Sequence, residues 1–120
     1  MIKFRAYLKG TGIIVDVQEI NYKYKEIAYE NGKYTEVADF KDIILLQSTG
    51  LKDKHGVEVF EGDVVKTKYG EHGRHIGVVK YGSAKFYSEG VKQYLSWHED
   101  LNGLFEILGN KYEHPHLLKE

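Results

Sequence analysis

Histidines are the residues of this chain that most readily take part in metal or acid–base chemistry, and four of the six are closely spaced. His72 and His75 form an H-x-x-H pattern, and His114 and His116 lie two residues apart. Gly73 disfavours the helix that would bring the first pair onto one face. Protein zinc sites often use cysteine, and the chain has none. We therefore predict solvated loop histidines and no bound metal.

Carboxylates and hydroxyls also give no catalytic pattern. Glu58, Glu61 and Asp63 cluster near a predicted turn. A general acid needs a carboxyl group with a raised pKa in a shielded pocket, whereas these residues lie in polar, glycine-rich sequence. The chain also lacks a Gly-x-Ser-x-Gly elbow and a phosphate-binding P-loop. We predict a non-enzymatic protein with no catalytic residues and no cofactor.

Residues 64–98 combine basic and aromatic side chains, a pattern that is typical of nucleic-acid binding. This segment carries a net charge of +4, whereas the rest of the chain sums to −5. The competing interpretation is a barrel whose aromatic residues point inward and whose lysines point outward. Lys80 and Tyr81 are adjacent and would face opposite ways in a strand. The candidate nucleic-acid-binding residues are Lys66, Lys68, Arg74, Lys80, Tyr81, Lys85 and Trp97.

Tyrosines indicate a second kind of interaction, between proteins. Tyr22 and Tyr24 alternate with lysines, and Tyr34 lies in the next predicted strand. Tyrosine is enriched at protein interfaces, and small β domains have strand edges that favour pairing. We predict that these three tyrosines line a patch. A homo-oligomer, or a complex with another protein, is the favoured function, and weak nucleic-acid binding is the alternative.

Composition is that of a soluble domain. The chain has 120 residues, 42% of them hydrophobic, and a net charge of −1. This length suits one domain with its own core. The lack of cysteine fits a reducing compartment, and no apolar run approaches the roughly 20 residues of a membrane span. We expect a cytoplasmic protein with no membrane partner.

Glycine turns between β-branched and aromatic runs predict a mainly β fold. In the first third, strands are predicted at 3–7, 13–17, 22–25 and 34–37, with a type I′ hairpin turn at Asn31-Gly32. Segment 40–47 has helical spacing but is also a compact apolar run, and we favour a strand. Later strands are predicted at 57–60, 64–69, 76–81, 85–87, 92–97 and 104–108, with loops at 70–73 and 98–103.

The run of residues 46–66 has the clearest turn signals. Gly50, Gly56 and Gly62 are spaced six residues apart, and each can adopt the positive φ of a tight reversal. Asp63 follows the last of these glycines, where its carboxylate is expected to accept N–H groups of the turn. We interpret all four residues as structural.

Four segments carry a family resemblance: IKFRAY at 2–7, TGLKDKHG with VFEGDVV in 49–65, IGVV at 76–79 and FEILGNKYE at 105–113. Together they resemble the YopX family of bacteriophage and prophage proteins over nearly the whole chain. The resemblance implies a β-rich, SH3-like barrel or roll and transfers no catalytic residues. Relatives tend to have Asn-Pro-Glu where this chain has His114-Pro115-His116, so an asparagine helix cap is missing.

We therefore predict one mainly β domain over residues 1–120. Residues 40–112 would form a small SH3-like barrel or roll, and residues 1–39 additional N-terminal strands with a hairpin. Residues 113–120 would form a tail with a short helical turn at 115–118, where Pro115 can start the turn. The resemblance implies a phage or prophage accessory protein in the cytoplasm of a bacterial host, and we predict that it acts by self-assembly or by interaction with a host or phage protein.

Overall fold

The computed structural model describes residues 3–69, 73–101 and 104–119. Within these ranges the chain forms antiparallel strands and three short 3-10 helices, which confirms the mainly β prediction. None of the described helices has the length and apolarity to cross a membrane. The chain divides into two compact units, Met1–Gln47 and Ser48–Glu120.

The first unit contains β1 (Phe4–Leu8), β2 (Ile13–Asn21), β3 (Glu26–Asn31), β4 (Tyr34–Asp39) and the first half of β5 (Ile43–Lys52). These strands form a sheet in the order β4-β3-β2-β1-β5. Apolar residues alternate along β1 and β3, so one face of the sheet forms a core around Ala6, Leu8 and Ile27. Segment 43–47 is the first half of β5, so the favoured strand is confirmed there, after a 3-10 helix at Phe40–Asp42.

Residues 22–25, predicted as a strand, form the turn between β2 and β3 instead. The Asn21 side-chain oxygen accepts the backbone N–H of Tyr24 at 3.0 Å, and Lys25 has a φ of 53°. An asparagine that bonds to the backbone a few residues on stabilises a turn. This local bond outweighs the alternating pattern, and Tyr22 and Tyr24 project into solvent at 71% and 64% exposure.

The predicted hairpin forms, but its loop lies one residue later than predicted. Asn31 pairs with Tyr34, so Gly32 and Lys33 are the loop residues. Gly32 has a φ of 65°, and Lys33 is not at positive φ. A type I′ turn needs positive φ at both positions, so this arrangement matches type II′.

The second unit contains a sheet of β7 (Asp63–Tyr69), β8 (Gly73–Gly82), β9 (Lys85–Gly90), β10 (His98–Asp100) and β11 (Phe105–Asn110). The strand order in this sheet is β10-β9-β8-β7-β11, and the second half of β5 pairs with β6 (Glu58–Phe60). The core of the unit includes Val59, Val65, Val79 and Phe105. The end strands β10 and β11 do not pair with each other, so the described strands close no barrel and the SH3-like architecture is not confirmed.

Two of the predicted glycine turns form as expected. Gly56 and Gly62 have φ values of 81° and 87° and lie in the turns on either side of β6. The Asp63 carboxylate accepts the N–H of Phe60 at 2.9 Å, which is the structural role predicted for it. Asp63 is 6% exposed, so it is not the solvated carboxylate that its polar sequence suggested.

Gly50 has a φ of 77° but lies inside β5, where a turn was predicted. The β5–β6 register shifts between the Ser48–Phe60 and Lys52–Glu58 pairs. Extra residues on one strand of a pair form a bulge, and a glycine at positive φ is a common member of one. The run 46–52 is therefore a continuous bulged strand.

Two predictions between residues 92 and 103 are wrong. The strand predicted at 92–97 is a 3-10 helix, Lys92–Tyr94, followed by a turn in which Ser96 has a φ of 68°. The loop predicted at 98–103 contains β10, and residues 102–103 lie outside the described ranges. The loop predicted at 70–73 also lies outside them, except for Gly73, which begins β8.

The C-terminal segment Pro115–Leu118 is a 3-10 helix. Its N-cap residue, His114, makes no side-chain capping hydrogen bond, consistent with the missing asparagine. The imidazole of His114 instead accepts the backbone N–H of Asn110 at 3.1 Å.

Candidate interaction site

The predicted basic residues lie on the second sheet, where strand alternation decides which of them share a face. On β7 and β8, Lys66 pairs with Ile76, and Lys68 pairs with Arg74 in the backbone register. On β8 and β9, Lys80 pairs with Tyr87, and Gly82 pairs with Lys85. This register places Lys66, Arg74, Lys80 and Lys85 on one face.

The two predicted aromatic residues do not join that face. Tyr81 follows Lys80 in β8 and so points to the opposite face, where its ring packs edge-on against Phe86 at 4.9 Å. Trp97 lies between the 3-10 helix and β10, and its indole N–H donates to Glu99 at 2.7 Å. The structure thus separates the basic side chains from the rings that were expected to stack on bases.

Carboxylates are interleaved with the cations on the basic face. Glu106 of β11 lies opposite Lys66 in the backbone register. Its carboxylate Oε2 forms ion pairs with the Nζ of Lys54 at 2.9 Å and with the Nζ of Lys66 at 3.9 Å. The hydrogen bond from Lys54 is the main reason that the pKa of Glu106 lies below its usual value. Further ion pairs join Lys80 to Glu89 and, at 2.8 Å, Lys85 to Asp100. Much of the predicted positive charge is therefore already paired.

His75 occupies the core side of β8, so the expectation of a solvated loop histidine is wrong for this residue. It is 0% exposed, and its Nε2 lies 2.7 Å from the carbonyl oxygen of Trp97. A carbonyl can only accept, so Nε2 carries the proton and donates. The rings of Tyr94 and Trp97 lie 5.5 and 5.1 Å from the imidazole. His75 is thus a structural residue that ties the 92–97 segment to the sheet.

Among the described residues, no other histidine joins His75 in a metal-ligating cluster. His72 lies outside the described residues, so its pairing with His75 is untested. The rings of His114 and His116 stand 6.1 Å apart at 86°. No group of three or more metal-ligating side chains exists in the described part of the chain.

A small cleft on the second unit is lined by Lys54, Lys66, Leu104, Phe105 and Glu106. Its volume is about 220 Å³. Its charged groups are Glu106 and the two lysines that are paired with it. Among the described residues, no histidine, serine or cysteine lines the cleft.

An exposed edge strand is the feature of the first unit that sequence reasoning did not single out. β4 is the last strand in the sheet order, and it pairs with β3 over all six residues without a bulge. Tyr34 and Val37 on this strand are 74% and 57% exposed. Natural edge strands are usually protected by charged side chains, above all lysine, or by proline, a bulge or short length. β4, with the sequence YTEVAD, lacks lysine, proline and a bulge, and its charged residues are Glu36 and Asp39.

Three other strand edges are short or covered. β6 and β10 each have three residues. β11 has six residues, but its Ile107 N–H donates to the Asp53 carboxylate at 3.2 Å, and its Phe105 carbonyl accepts Lys54 N–H at 2.9 Å. β5, at the other end of the first sheet, pairs with β6 from Ser48 on and is bulged there. Compared with the edges of β6, β10 and β11, β4 is therefore the long, regular edge that remains open.

The predicted tyrosine patch does not form along β3. Tyr22 and Tyr24 lie in the turn that precedes Glu26, whereas Tyr34 follows the hairpin at Asn31. These are opposite ends of a strand about 17 Å long. Tyr34 belongs to the β4 edge, and the other two tyrosines do not.

These features define a small, mainly β protein with two antiparallel sheets and an open edge strand. A model of the YopX protein family matches residues 3–119, so the chain belongs to the YopX family and the resemblance is confirmed. The fold is similar to the crystal structure of protein EF1440 from Enterococcus faecalis, with a TM-score of 0.64, 25% sequence identity and 98% of each chain covered. No curated protein matches the chain.

Proposed function

We propose that this YopX family protein is a non-enzymatic interaction module that binds protein through the open edge of β4. The carrying observation is that a regular six-residue edge strand lacks proline, lysine and a bulge. An extended segment of a partner can add to such an edge, because main-chain hydrogen bonds supply affinity and side chains supply specificity. The phage accessory role, the cytoplasmic location and the SH3-like architecture enter this proposal through the family resemblance alone.

The contrast among edges supports the proposal. The turn at residues 53–57 bonds the outer N–H of Ile107 and the outer C=O of Phe105 in β11, whereas β4 keeps exposed side chains on both faces. A strand that is left open while a second edge of equal length is covered is expected to have a partner.

Affinity capture with an edge variant tests the proposal. Val37→Pro removes an N–H on the strand edge, and proline is tolerated in edge strands. Wild-type and V37P protein would be immobilised and exposed to bacterial lysate and, separately, to the purified chain itself. We expect wild type to retain at least one protein, from the lysate or the purified chain itself, that V37P does not retain. If circular dichroism shows that V37P is folded and it retains the same proteins as wild type from both samples, the β4 edge is not a binding site.

The basic face is a second candidate site, for weak nucleic-acid binding, because Lys66, Arg74, Lys80 and Lys85 share it. The carboxylates on the same face argue against strong binding. Retention of single-stranded DNA at about 50 mM salt, weakening as salt rises, would support this function. A control in which Lys23, on the first unit, becomes Ala should leave any retention unchanged, whereas K80A should reduce it. No retention at that salt concentration would eliminate this candidate.

A further inference from the structure

We infer that the partner of the β4 edge is a second copy of this chain, paired antiparallel with Val37 on the two-fold axis. This inference rests on the proposed function and specifies its partner and its register. A dimer with two-fold symmetry uses the same surface of both copies, and two edge strands related in this way run antiparallel. The exposed edge of β4 is self-complementary in a single register, as its backbone and side chains show.

The backbone of β4 defines which residues can bond outward. A two-residue hairpin loop makes Asn31 and Tyr34 a hydrogen-bonded pair, so even-numbered residues of β4 bond to β3. The Phe40 N–H, which donates to the Lys25 carbonyl at 2.8 Å, follows the same alternation. The N–H and C=O groups of Thr35, Val37 and Asp39 therefore point away from β3.

Three antiparallel registers with a second copy pair at least two of these residues on each strand. Placing Val37 opposite Val37 also places Thr35 opposite Asp39 on both sides of the axis. That register forms about six hydrogen bonds, two for each hydrogen-bonded pair. A shift by two residues in either direction leaves about four, because one outward residue then passes the end of the strand.

Side chains favour the same register. With Val37 on the axis, Glu36 faces Ala38 of the second copy, and the two exposed valines contact each other. A shift in one direction would place Glu36 directly opposite Glu36, and like charges that face each other across strands are destabilising. In the central register, Asp39 lies diagonally from Lys33 of the second copy, within reach of a long side chain. Charge and apolar contact thus agree with the hydrogen-bond pattern.

Single-cysteine variants test the register, since the chain has no native cysteine. Paired residues of this type lie about 5.5 Å apart between Cα atoms, within disulfide range. We expect V37C to form a disulfide dimer at least tenfold faster than T35C or A38C, whose self-pairs are offset by two or more residues. A mixture of T35C and D39C should form the mixed disulfide. A mixed disulfide of T35C with V37C, without a V37C dimer, would overturn the register.

Light scattering of the native chain tests whether a second copy binds at all. Six-residue edges bury little surface, so association is expected to be visible at roughly 100 µM. Val37→Thr should weaken association several-fold, whereas Val57→Thr, which changes a valine of similar exposure on the other unit, should not. A strict monomer at that concentration would refute the second copy as the partner. V37P-sensitive capture of a different protein would then still support the proposed function.

Discussion

His75 and Trp97, 22 residues apart in sequence, are joined by a 2.7 Å hydrogen bond from the imidazole Nε2 to the tryptophan carbonyl. The same carbonyl accepts the N–H of Gly90 at 2.8 Å. A buried side chain and a strand end thus hold one point of the segment that precedes β10. The local fold of this segment depends on His75, which a sequence pattern had assigned to a loop.

Replacement of His75 by alanine should destabilise the protein by about 3 kcal/mol, because it removes a buried ring and its hydrogen bond. His75→Phe should cost less, about 1 kcal/mol, since the ring volume is retained and Gly90 still bonds to the carbonyl. Urea unfolding measures both. His55→Ala at an exposed position is the control, with an effect within about 0.5 kcal/mol. Equal effects of H75A and H55A would contradict a structural role for His75.

Gly77 should not tolerate a side chain. A Cβ at this position would lie 2.6 Å from the backbone oxygen of Glu89 and against the Ser88 hydroxyl. Gly77→Ala should therefore cost about 1–3 kcal/mol through overpacking. Gly10→Ala is the matched control, because a Cβ there meets nothing within 4 Å. Thermal unfolding compares them, and a G77A midpoint equal to that of G10A would show that β8 and β9 are less closely packed.

The turn of the β8–β9 hairpin contains two residues whose replacement should raise the stability of the protein. Ser83 and Ala84 have φ values of 51° and 63°, a conformation that disfavours residues with a Cβ. Changing both to Asn-Gly, the preferred type I′ sequence, should stabilise the protein by about 0.5–1 kcal/mol. Gly32→Ala, at a φ of 65° in the β3–β4 hairpin, should have the opposite effect. Denaturant midpoints test both, and a loss of stability with Asn-Gly would argue against this turn geometry.

Asp53 should make stability depend on acid. Burial alone would raise the pKa of Asp53, but hydrogen bonds from the N–H groups of Val57, Ile107 and His55 outweigh it and lower the pKa. A lowered folded-state pKa contributes stability above the unfolded value of about 3.9, and this stability is lost as pH falls through the folded value.

Asp53→Asn removes that contribution and turns an N–H donor toward Ile107. The stability gap between wild type and D53N should be largest at neutral pH and should narrow below about pH 4. Urea unfolding at several pH values measures it, with the exposed Asp16→Asn variant as the control. A gap that stays constant down to pH 2 would mean that another interaction of Asp53 dominates.

The strand and turn elements with strong local signals could be predicted from the sequence. Gly56 and Gly62 lie in turns because positive φ suits glycine, and Asp63 bonds to a neighbouring N–H. The strand prediction for residues 22–25 is wrong because Tyr-Lys alternation is also compatible with a turn when the Asn21 side chain accepts a backbone N–H. The loop prediction for His75 is wrong for a different reason. The strand predicted to begin at residue 76 begins at Gly73, so His75 lies within it, on the core side that it shares with Val79.

The site could be predicted less well, because it depends on strand order. The basic residues of 64–98 could be read from the sequence, but the carboxylates that pair with them come from other strands, such as Glu106 and Asp100. The openness of β4 is likewise a property of the whole sheet. No local pattern around Val37 predicts that β3 is the one described strand that pairs with β4.

Covering β11 with the Asp53 turn has a consequence for how far assembly can proceed. In the proposed dimer each molecule pairs through β4, and the Asp53 turn keeps β11 from taking part in a second contact of the same kind. Each copy would cover the β4 edge of the other, so a third copy could not add to either β4 strand. We therefore expect strand addition through β4 to end at a pair, whereas two uncovered edges would allow it to continue into fibres.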